Sequence, residues 1–274
     1  MRLGRNLSRG SEAPRMSSRL PVVFFGHGNP MNALNDNPYA KAWRKLGADL
    51  PRPRAIVAIS AHWYVPATLV TANLHPRTIH DFGGFPRELY EVQYPAPGDL
   101  GLAARITGLL ATYGATGDER WGLDHGTWSV LVHVYPKADV PVVQLSINET
   151  LEPGMHFEIG SLLRPLRDEG VMIVASGNIV HNLHAFAWGR HPVEPFDWAQ
   201  RFEAQARKLL LARDFDPLID YETLGEDARL SAPTPDHYLP LLYVMGASDD
   251  RDRASFPIEG IDGGSVSMLS VLFS

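Results

Sequence analysis

The sequence has no cysteine among its 274 residues. This absence excludes disulfide bonds, thiolate metal sites and cysteine nucleophiles. The chain also lacks an apolar run of the roughly 20 residues that a membrane span requires. A net charge of −6 and the lack of a basic tract in the body of the chain argue against a nucleic-acid partner. Any bound metal must therefore use imidazole, carboxylate, amide or water ligands.

The remaining composition is typical of a globular protein, with 45% hydrophobic and 20% charged residues. Residues 1–19 are polar and arginine-rich, and they lack the apolar core of a secretory signal. We expect them to form a disordered arm, or to precede a true start at Met16, and we expect a cytoplasmic protein. No break in composition divides residues 20–274, which we interpret as one domain.

Strand-like and helix-like segments alternate along this domain. Apolar, β-branched runs predict strands at 20–26, 54–60, 68–72, 140–147, 171–176 and 265–273. Helices are predicted at 37–48, 99–112, 154–169 and 195–212, with another that opens near Pro235. This alternation indicates an α/β domain with a central, mostly parallel or mixed sheet flanked by helices.

Three histidines follow predicted strands. His27 comes after "LPVVFF", His62 after "AIVAIS" and His181 after "VMIVAS". Ligands of open α/β sheets bind beside the carboxyl ends of the strands, so we expect these imidazoles to converge on one site there. Gly26 and Gly28 flank His27 and leave room for a bulky group to approach its ring. Taken alone, His27 could equally cap a turn.

His237 lies in "SAPTPDHYLPLLYV", where Thr234 suits a helix N-cap and Pro235 the first helical position. The pattern predicts that His237 occupies the first turn of a helix. There the helix dipole disfavours an imidazolium, and a neutral imidazole is ready to bind a metal. The alternative is a surface residue of that turn.

His125 occurs in "WGLDHGTWSVL" beside Asp124. A carboxylate that holds one ring nitrogen while the other faces a substrate is typical of a general acid–base group, although an Asp-His helix cap also fits. His80 and Asp81, in "IHDFGGFP", are weaker candidates for the mouth of a pocket. We expect surface or packing positions for the other five histidines: His75, His133, His156, His184 and His191.

Four histidines without cysteine favour a borderline metal such as Fe(II), Zn(II) or Mn(II). The chain has no compact ligand signature such as HExxH. A metal site at the carboxyl edge of the strands is therefore a hypothesis that depends on the fold.

Seven segments occur in this order: "GHGNPMNAL", "SAHWY", "HDFGGFPRELYEVQYPAPG", "GLDHGTWSVLVHVYP", "VVQLSIN", "SGNIVHNL" and "PTPDHYLPLLYVMGA". Together they resemble the 4,5-DOPA extradiol dioxygenase family, which belongs to the class III, protocatechuate 4,5-dioxygenase-like ring-cleaving enzymes. The resemblance runs from about residue 20 to the end of the chain and leaves the N-terminal arm outside it.

The resemblance implies roles for individual histidines. His27 and His62 match metal ligands, His181 and His237 match two further metal-site histidines, and His125 matches the acid–base position. Better-known ring-cleaving relatives complete their site with a glutamate, whereas chain order places His237 there. His181 is either a fourth ligand or a proton shuttle.

The resemblance also implies the activity. One divalent metal per chain, Fe(II) for turnover in a site that also accepts Zn(II), would support opening of a catechol such as DOPA by O2 to a muconic semialdehyde. The expected partners are a small aromatic substrate and O2, and the chain is a monomer or a homodimer. Tyr238 and Phe82 are candidates to stack on the ring, and His80 and Asp81 to contact the substrate. The alternatives are a zinc hydrolase with the same histidines and a non-catalytic binding protein, as in the related Memo family.

Overall fold

The computed structural model describes residues 19–190 and 193–274. The predicted arm therefore lies outside the described residues except for Arg19, and so does the packing position expected for His191. In the described part, an eight-stranded sheet has the order β4-β3-β5-β2-β6-β1-β10-β7, and β8 pairs with β9. The strands are β1 Val22–Gly26, β2 Ala55–Val65, β3 Leu69–Thr71, β4 Thr116–Asp118, β5 Val142–Asn148, β6 Val171–Gly177, β7 Ala254–Ile258, β8 Ile261–Asp262, β9 Val266–Ser267 and β10 Ser270–Phe273.

The centre of the sheet consists of four parallel strands, β5, β2, β6 and β1. Every residue of β1, β5 and β6 is buried, which explains their continuous apolar sequence. On one side β10 and β7 add antiparallel strands; on the other, β3 is antiparallel to β5 and β4 is parallel to β3. The sheet is mixed, as predicted.

Helices cover both faces of the sheet. They are α1 Pro38–Asp49, α2 Arg87–Tyr90, α3 Leu100–Leu109, α4 His125–Val134, α5 Pro153–Leu163, α6 Asp197–Ala212, α7 Asp216–Ile219, α8 Glu226–Ser231 and α9 Leu239–Ala247. Alternate residues of β1 point to opposite faces. Val22 and Phe24 join the core beneath α3, α5, α6 and α9, while Val23 and Phe25 join the core beneath α1 and α4.

All six predicted strands are present, and the run 265–273 divides into β9 and β10. The four predicted helices with stated bounds are also present, two of them ending in short 3₁₀ turns, Ala111–Tyr113 and Arg164–Arg167. No helix in the described ranges combines the length and apolar character needed to cross a bilayer.

Two local predictions were wrong. Strand β2 does not end at residue 60 but runs to Val65, and its pairing with β5 shifts register between Ile59 and Tyr64. His62 thus lies in a β-bulge, a feature that redirects side chains beside functional sites. The helix expected to open near Pro235 begins at Leu239. His237 lies in the preceding turn, where the N–H of Tyr238 donates to the carbonyl of Pro235.

Candidate active site

Five predicted histidines meet at the carboxyl end of the central strands. His27 follows β1, His62 lies in the bulge of β2 and His181 follows β6, while His125 begins α4 and His237 precedes α9. The ring centroid of His27 lies 5.1 Å from that of His62, 5.6 Å from His125 and 5.3 Å from His237. Residues from distant parts of the chain therefore form one cluster at the edge predicted from the strand pattern.

Two glycines allow the elements that carry these histidines to approach one another closely. A Cβ on Gly177, at the end of β6, would lie 2.2 Å from the carbonyl oxygen of His237. The N–H of Asn178 donates to that carbonyl at 2.9 Å, which binds the turn to the strand end. A Cβ on Gly126 would lie 2.4 Å from Ser60 Oγ. A side chain at either glycine would thus separate the elements.

A serine fixes the orientation of His27. The Nδ1 atom of His27 lies 2.9 Å from Ser176 Oγ. The Ser176 hydroxyl donates its hydrogen to the carbonyl of Gly126 at 2.5 Å, so its oxygen is left to accept from the imidazole. The proton of neutral His27 is therefore on Nδ1, and Nε2 presents a lone pair.

The carboxylate of Asp81 joins two histidines. Its Oδ2 lies 3.2 Å from His62 Nδ1 and 3.0 Å from His125 Nδ1, and its Oδ1 accepts the backbone N–H of His125 at 2.9 Å. Burial alone would raise the pKa of Asp81, but the hydrogen bonds from His125 hold it below its usual value. Asp81 thus contacts two histidines of the cluster, and its expected contact with substrate stays a prediction.

Asp124, which precedes His125 in the sequence, has a different role from Asp81. Asp124 is the N-cap of α4, and its side chain accepts a hydrogen bond from the backbone N–H of Thr127. It is fully buried, and its second oxygen bonds to the amide of Gln144. Burial, and then the charge of Asp81, raise the pKa of Asp124 to about 6. The expectation that Asp124 could partner the His125 ring was wrong.

His237 is oriented by its neighbour in the chain. Its Nδ1 donates to Oδ2 of Asp236. Burial would raise the pKa of Asp236, but this bond holds it well below its usual range. His27, His62 and His237 therefore share one arrangement, in which an oxygen engages Nδ1 and Nε2 remains available.

Lowered pKa values favour the neutral state of three imidazoles in the cluster, those of His27, His62 and His181. Burial lowers the pKa of His27 and of His62 well below its usual value, and the neighbouring imidazoles lower it further because adjacent positive charges repel. Burial, followed by the proximity of His237, lowers the pKa of His181 to about 2. Neutral imidazoles with free lone pairs are the form that binds metals.

The residues present fit a divalent metal. Ligand atoms of His27, His62 and His237 all lie within 4.8 Å of one another. The Nε2 atoms of His27 and His62 are 3.1 Å apart, close to the spacing of about 3.3 Å between two nitrogens that share a tetrahedral ion at about 2.0 Å. An oxygen partner on the remote nitrogen is the usual support of a metal-binding histidine. Such an all-imidazole donor set suits Fe(II) or Zn(II).

His181 lies beside this three-histidine group and not in it. Its ring stacks on that of His237, with centroids 3.5 Å apart and an angle of 5° between the planes. The three histidines whose ligand atoms lie within 4.8 Å of one another do not include His181. Its role as a fourth ligand or as a proton shuttle stays a prediction.

Two predicted substrate contacts lie outside the cavity. The side chain of Tyr238 is fully buried, and its hydroxyl donates to the carbonyl of Leu218 at 2.8 Å, because this side chain points into the core behind the turn. The Nε2 atom of His80 lies 3.0 Å from the carbonyl oxygen of Val92, and its ring packs against Trp128. Both side chains thus contact the framework and neither lines the cavity, and their expected contact with substrate stays a prediction.

A cavity of about 370 Å³ opens in front of the histidines. Phe82, which the sequence suggested as a stacking residue, lines it, and its ring lies edge-on to His125 with centroids 5.4 Å apart. The lining consists of His27, Gly28, Asn29, Pro30, His62, Phe82, Gly83, Gly84, Phe85, His125, His181, Leu183, Phe186, Trp188, His237 and Val266. It combines a polar floor of imidazoles with apolar walls, as small-molecule sites usually do.

The remaining described histidines are structural or exposed, as predicted. His133 and His156 are buried, with hydrogen bonds to the carbonyl of Asn32 and the hydroxyl of Tyr243. His75 and His184 are exposed.

Sequence reasoning missed two functional positions, Ser176 and Asp236. Asp236 precedes His237 directly, and that adjacency was a usable signal. Ser176 is the penultimate residue of β6 and pairs with Phe25 of β1, and this pairing is visible only once the sheet order is known.

Comparison with known proteins agrees with the geometry. A family model described as the catalytic LigB subunit of aromatic ring-opening dioxygenase matches residues 23–266. The 4,5-DOPA dioxygenase extradiol of Escherichia coli K12 is 52% identical over 259 residues, which cover 93% of this chain and 95% of that protein. The protein of the same name from Beta vulgaris is 37% identical over 260 residues, or 92% and 96% of the two chains.

A crystal structure of an uncharacterized protein from Escherichia coli K12 has the same fold, with a TM-score of 0.82 and 48% identity. The match covers 93% of this chain and 100% of that chain. The range that the family model matches contains the turn before α9 and all five clustered histidines. The chain therefore belongs to the LigB family of extradiol, aromatic ring-opening dioxygenases.

Proposed function

We propose that the chain opens the ring of a catechol, of which DOPA is one example, with O2 and yields a muconic semialdehyde. The observation that carries this proposal is the shared arrangement of His27, His62 and His237, each with its Nδ1 engaged by oxygen and its Nε2 free. These residues would hold one divalent metal. When bound, Fe(II) would supply the charge that stabilises deprotonated catechol oxygens and the electrons that O2 requires.

Two further histidines line the cavity and are suited to move protons. The Nδ1 atom of His125 lies 3.0 Å from Oδ2 of Asp81, and Nε2 is the nitrogen that would accept a proton from a catechol hydroxyl and return it later. His181 is neutral and stacked beside His237. Its position favours the proton-shuttle interpretation over ligation. Both groups line the cavity and are general acid–base candidates.

The apolar walls of the cavity would position the substrate ring and exclude water during the same reaction. Phe82 and Phe85 form an edge-to-face pair with centroids 5.3 Å apart at one side of the cavity. An aromatic substrate that packs on them displaces water from the histidines, which strengthens electrostatic interactions in the site and protects reactive oxygen species from side reactions. Positioning of the ring and exclusion of water are thus contributions of the chain itself.

Metal analysis combined with an oxygen electrode tests the proposal. We expect Fe(II)-dependent uptake of O2 with catechols and a yellow product. His62→Ala should lose the metal, whereas His125→Ala should retain it and lose turnover by about 100-fold or more. The exposed His75→Ala is the matched control and should resemble the parent chain.

Three results would contradict the proposal or its ligand assignment. Full occupancy by zinc with hydrolysis of esters or amides and no O2 uptake would favour a hydrolase. Absence of bound metal after anaerobic reconstitution would favour a binding protein. Full metal content in His62→Ala would refute the ligand assignment.

A further inference from the structure

We infer that Ser60 and Asp124 are positioning residues, which together fix the proposed metal ligand His62 and the acid–base candidate His125 relative to each other. The inference rests on the proposed function, since it concerns the same site. Both side chains are fully buried, and neither is among the described residues that line the cavity. They would therefore act through the two histidines and not by contact with the substrate.

The bulge of β2 needs a support of its own, because a bulge interrupts the hydrogen bonds of the strand. The pairing of β2 with β5 is interrupted between Ile59 and Tyr64, so residues 60–63 form the bulge. Within it, the backbone N–H of His62 donates to the hydroxyl oxygen of Ser60 at 3.2 Å. Ser60 thus fixes the backbone that carries a proposed metal ligand.

The Ser60 hydroxyl is in turn held by Asp124. Its oxygen accepts from His62, and its hydrogen is donated to the Asp124 carboxylate. The backbone N–H of Thr127 donates to the same carboxylate at 3.2 Å, and the amide of Gln144 donates to its other oxygen. Burial raises the pKa of Asp124 to about 6, which leaves it ionised at pH 7. Hydrogen bonds to an ionised acceptor are stronger than those between neutral groups.

Asp124 fixes the second histidine as well. It is the N-cap of α4, whose first residue is His125. One carboxylate therefore holds both the bulge of β2, through Ser60, and the first turn of α4. The ring centroids of His62 and His125 are 3.8 Å apart, so a small shift of either element changes the geometry between a metal ligand and a proton acceptor. Catalysis is sensitive to misplacement on this scale.

Gln144 of β5 holds the carboxylate from the side of the sheet. Its Oε1 accepts the Thr127 hydroxyl at 3.0 Å, and its backbone N–H donates to Thr71 Oγ1 at 2.8 Å. The amide that bonds to Asp124 is therefore fixed at both of its ends. Buried polar networks whose members are all bonded are rigid and specify one arrangement.

Asp124→Asn and Ser60→Ala test the inference, with Zn(II) as the probe and a competing chelator to measure its affinity. We expect the affinity to fall about tenfold in each variant. The double variant should bind within threefold of the weaker single variant, because both residues act through one contact. A larger additional loss, or affinities within threefold of the parent in both single variants, would overturn the inference. Ser60→Ala alone decides it if Asp124→Asn does not fold.

Matched controls separate positioning from general destabilisation. Asp99→Asn changes the equivalent N-cap of α3, which accepts the backbone N–H of Leu102 at 2.9 Å. Ser129→Ala removes a buried hydroxyl of α4 that has no hydrogen-bond partner among the described residues. Both controls should keep the Zn(II) affinity of the parent. Losses in the controls as large as those in the test variants would assign the effect to stability and overturn the inference.

Nuclear magnetic resonance of the ¹⁵N-labelled, metal-free chain distinguishes this inference from the proposed function. Asp124→Asn should shift the ring nitrogen signals of His62 and His125, while those of the buried His133 and His156 stay unchanged. Unchanged signals of both site histidines would overturn the inference. If the parent chain binds no Zn(II), the proposed metal centre fails, and the ring signals still decide the positioning role.

Discussion

Replacing Asp81 with asparagine changes one carboxylate that supports two histidines. In the parent chain Asp81 Oδ2 lies 3.2 Å from His62 Nδ1 and 3.0 Å from His125 Nδ1. An asparagine has one oxygen that can accept, while its NH2 group faces an N–H. Both imidazoles contact Oδ2, and the backbone N–H of His125 donates to Oδ1. The NH2 group must therefore face either this backbone N–H or both imidazoles, and in each case a donor meets a donor.

The size of the effect follows from these contacts. Loss of the oxygen partner of a metal-binding histidine typically reduces metal affinity or activity by about 10- to 100-fold. We expect Asp81→Asn to weaken metal binding by about this factor through His62. We also expect kcat to fall further than metal loss explains, since His125 is affected as well.

Competition with a chelator measures the metal affinity, and kcat is then measured at saturating metal. The control is Asp227→Asn, which removes a carboxylate that pairs with Arg201 on the surface and should change neither quantity. Metal affinity and kcat within twofold of the parent in Asp81→Asn would refute the assignment of Asp81 as a positioning residue.

Three other changes have defined outcomes. Gly177→Ala should lower the free energy of unfolding, measured by urea titration, by about 1–3 kcal/mol because its Cβ would meet the His237 carbonyl. The control is Gly108→Ala in α3, which has open space around it and should be neutral or stabilising in the same titration. Burial lowers the pKa of His156 to about 4, so between pH 6.5 and pH 4 the unfolded chain binds a proton at this residue and the native chain does not. The free energy of unfolding should therefore fall from pH 6.5 towards pH 4 by up to about 3 kcal/mol. His156→Phe should remove that part of the pH dependence, and an unchanged pH dependence would contradict the reasoning. His181→Ala should keep the metal, measured by elemental analysis, and lose turnover; loss of the metal would restore His181 as a ligand.

The sequence predicted the sheet because its central strands are buried on both faces and therefore continuously apolar. The same pattern located three of the clustered histidines, since carboxyl ends of parallel strands share one edge. His237 was identified as a site residue although its helix begins later than the N-cap signal suggested. A proline and a threonine favour a turn as well as a helix start, and local sequence does not distinguish the two.

What the sequence could not supply is the set of contacts between segments far apart in the chain. Asp81 accepts a hydrogen bond from the backbone N–H of His125, which lies 44 residues further along the chain. No periodic pattern in the sequence relates these two positions. Tyr238 is an aromatic residue next to His237, which suggested that it stacks on a substrate. Its hydroxyl instead donates to the carbonyl of Leu218 in the core. The bulge that redirects His62 depends on the register between β2 and β5, which is a property of the assembled sheet.

Anomalous diffraction at the metal edge, from crystals of the metal-loaded chain, tests the central claim most directly. We predict one peak per chain within about 2.0–2.2 Å of Nε2 of His27, His62 and His237, with the His181 ring stacked beside it and unbonded. A peak bonded to His181, or one that misses any of the three predicted nitrogens, would contradict the three-histidine centre.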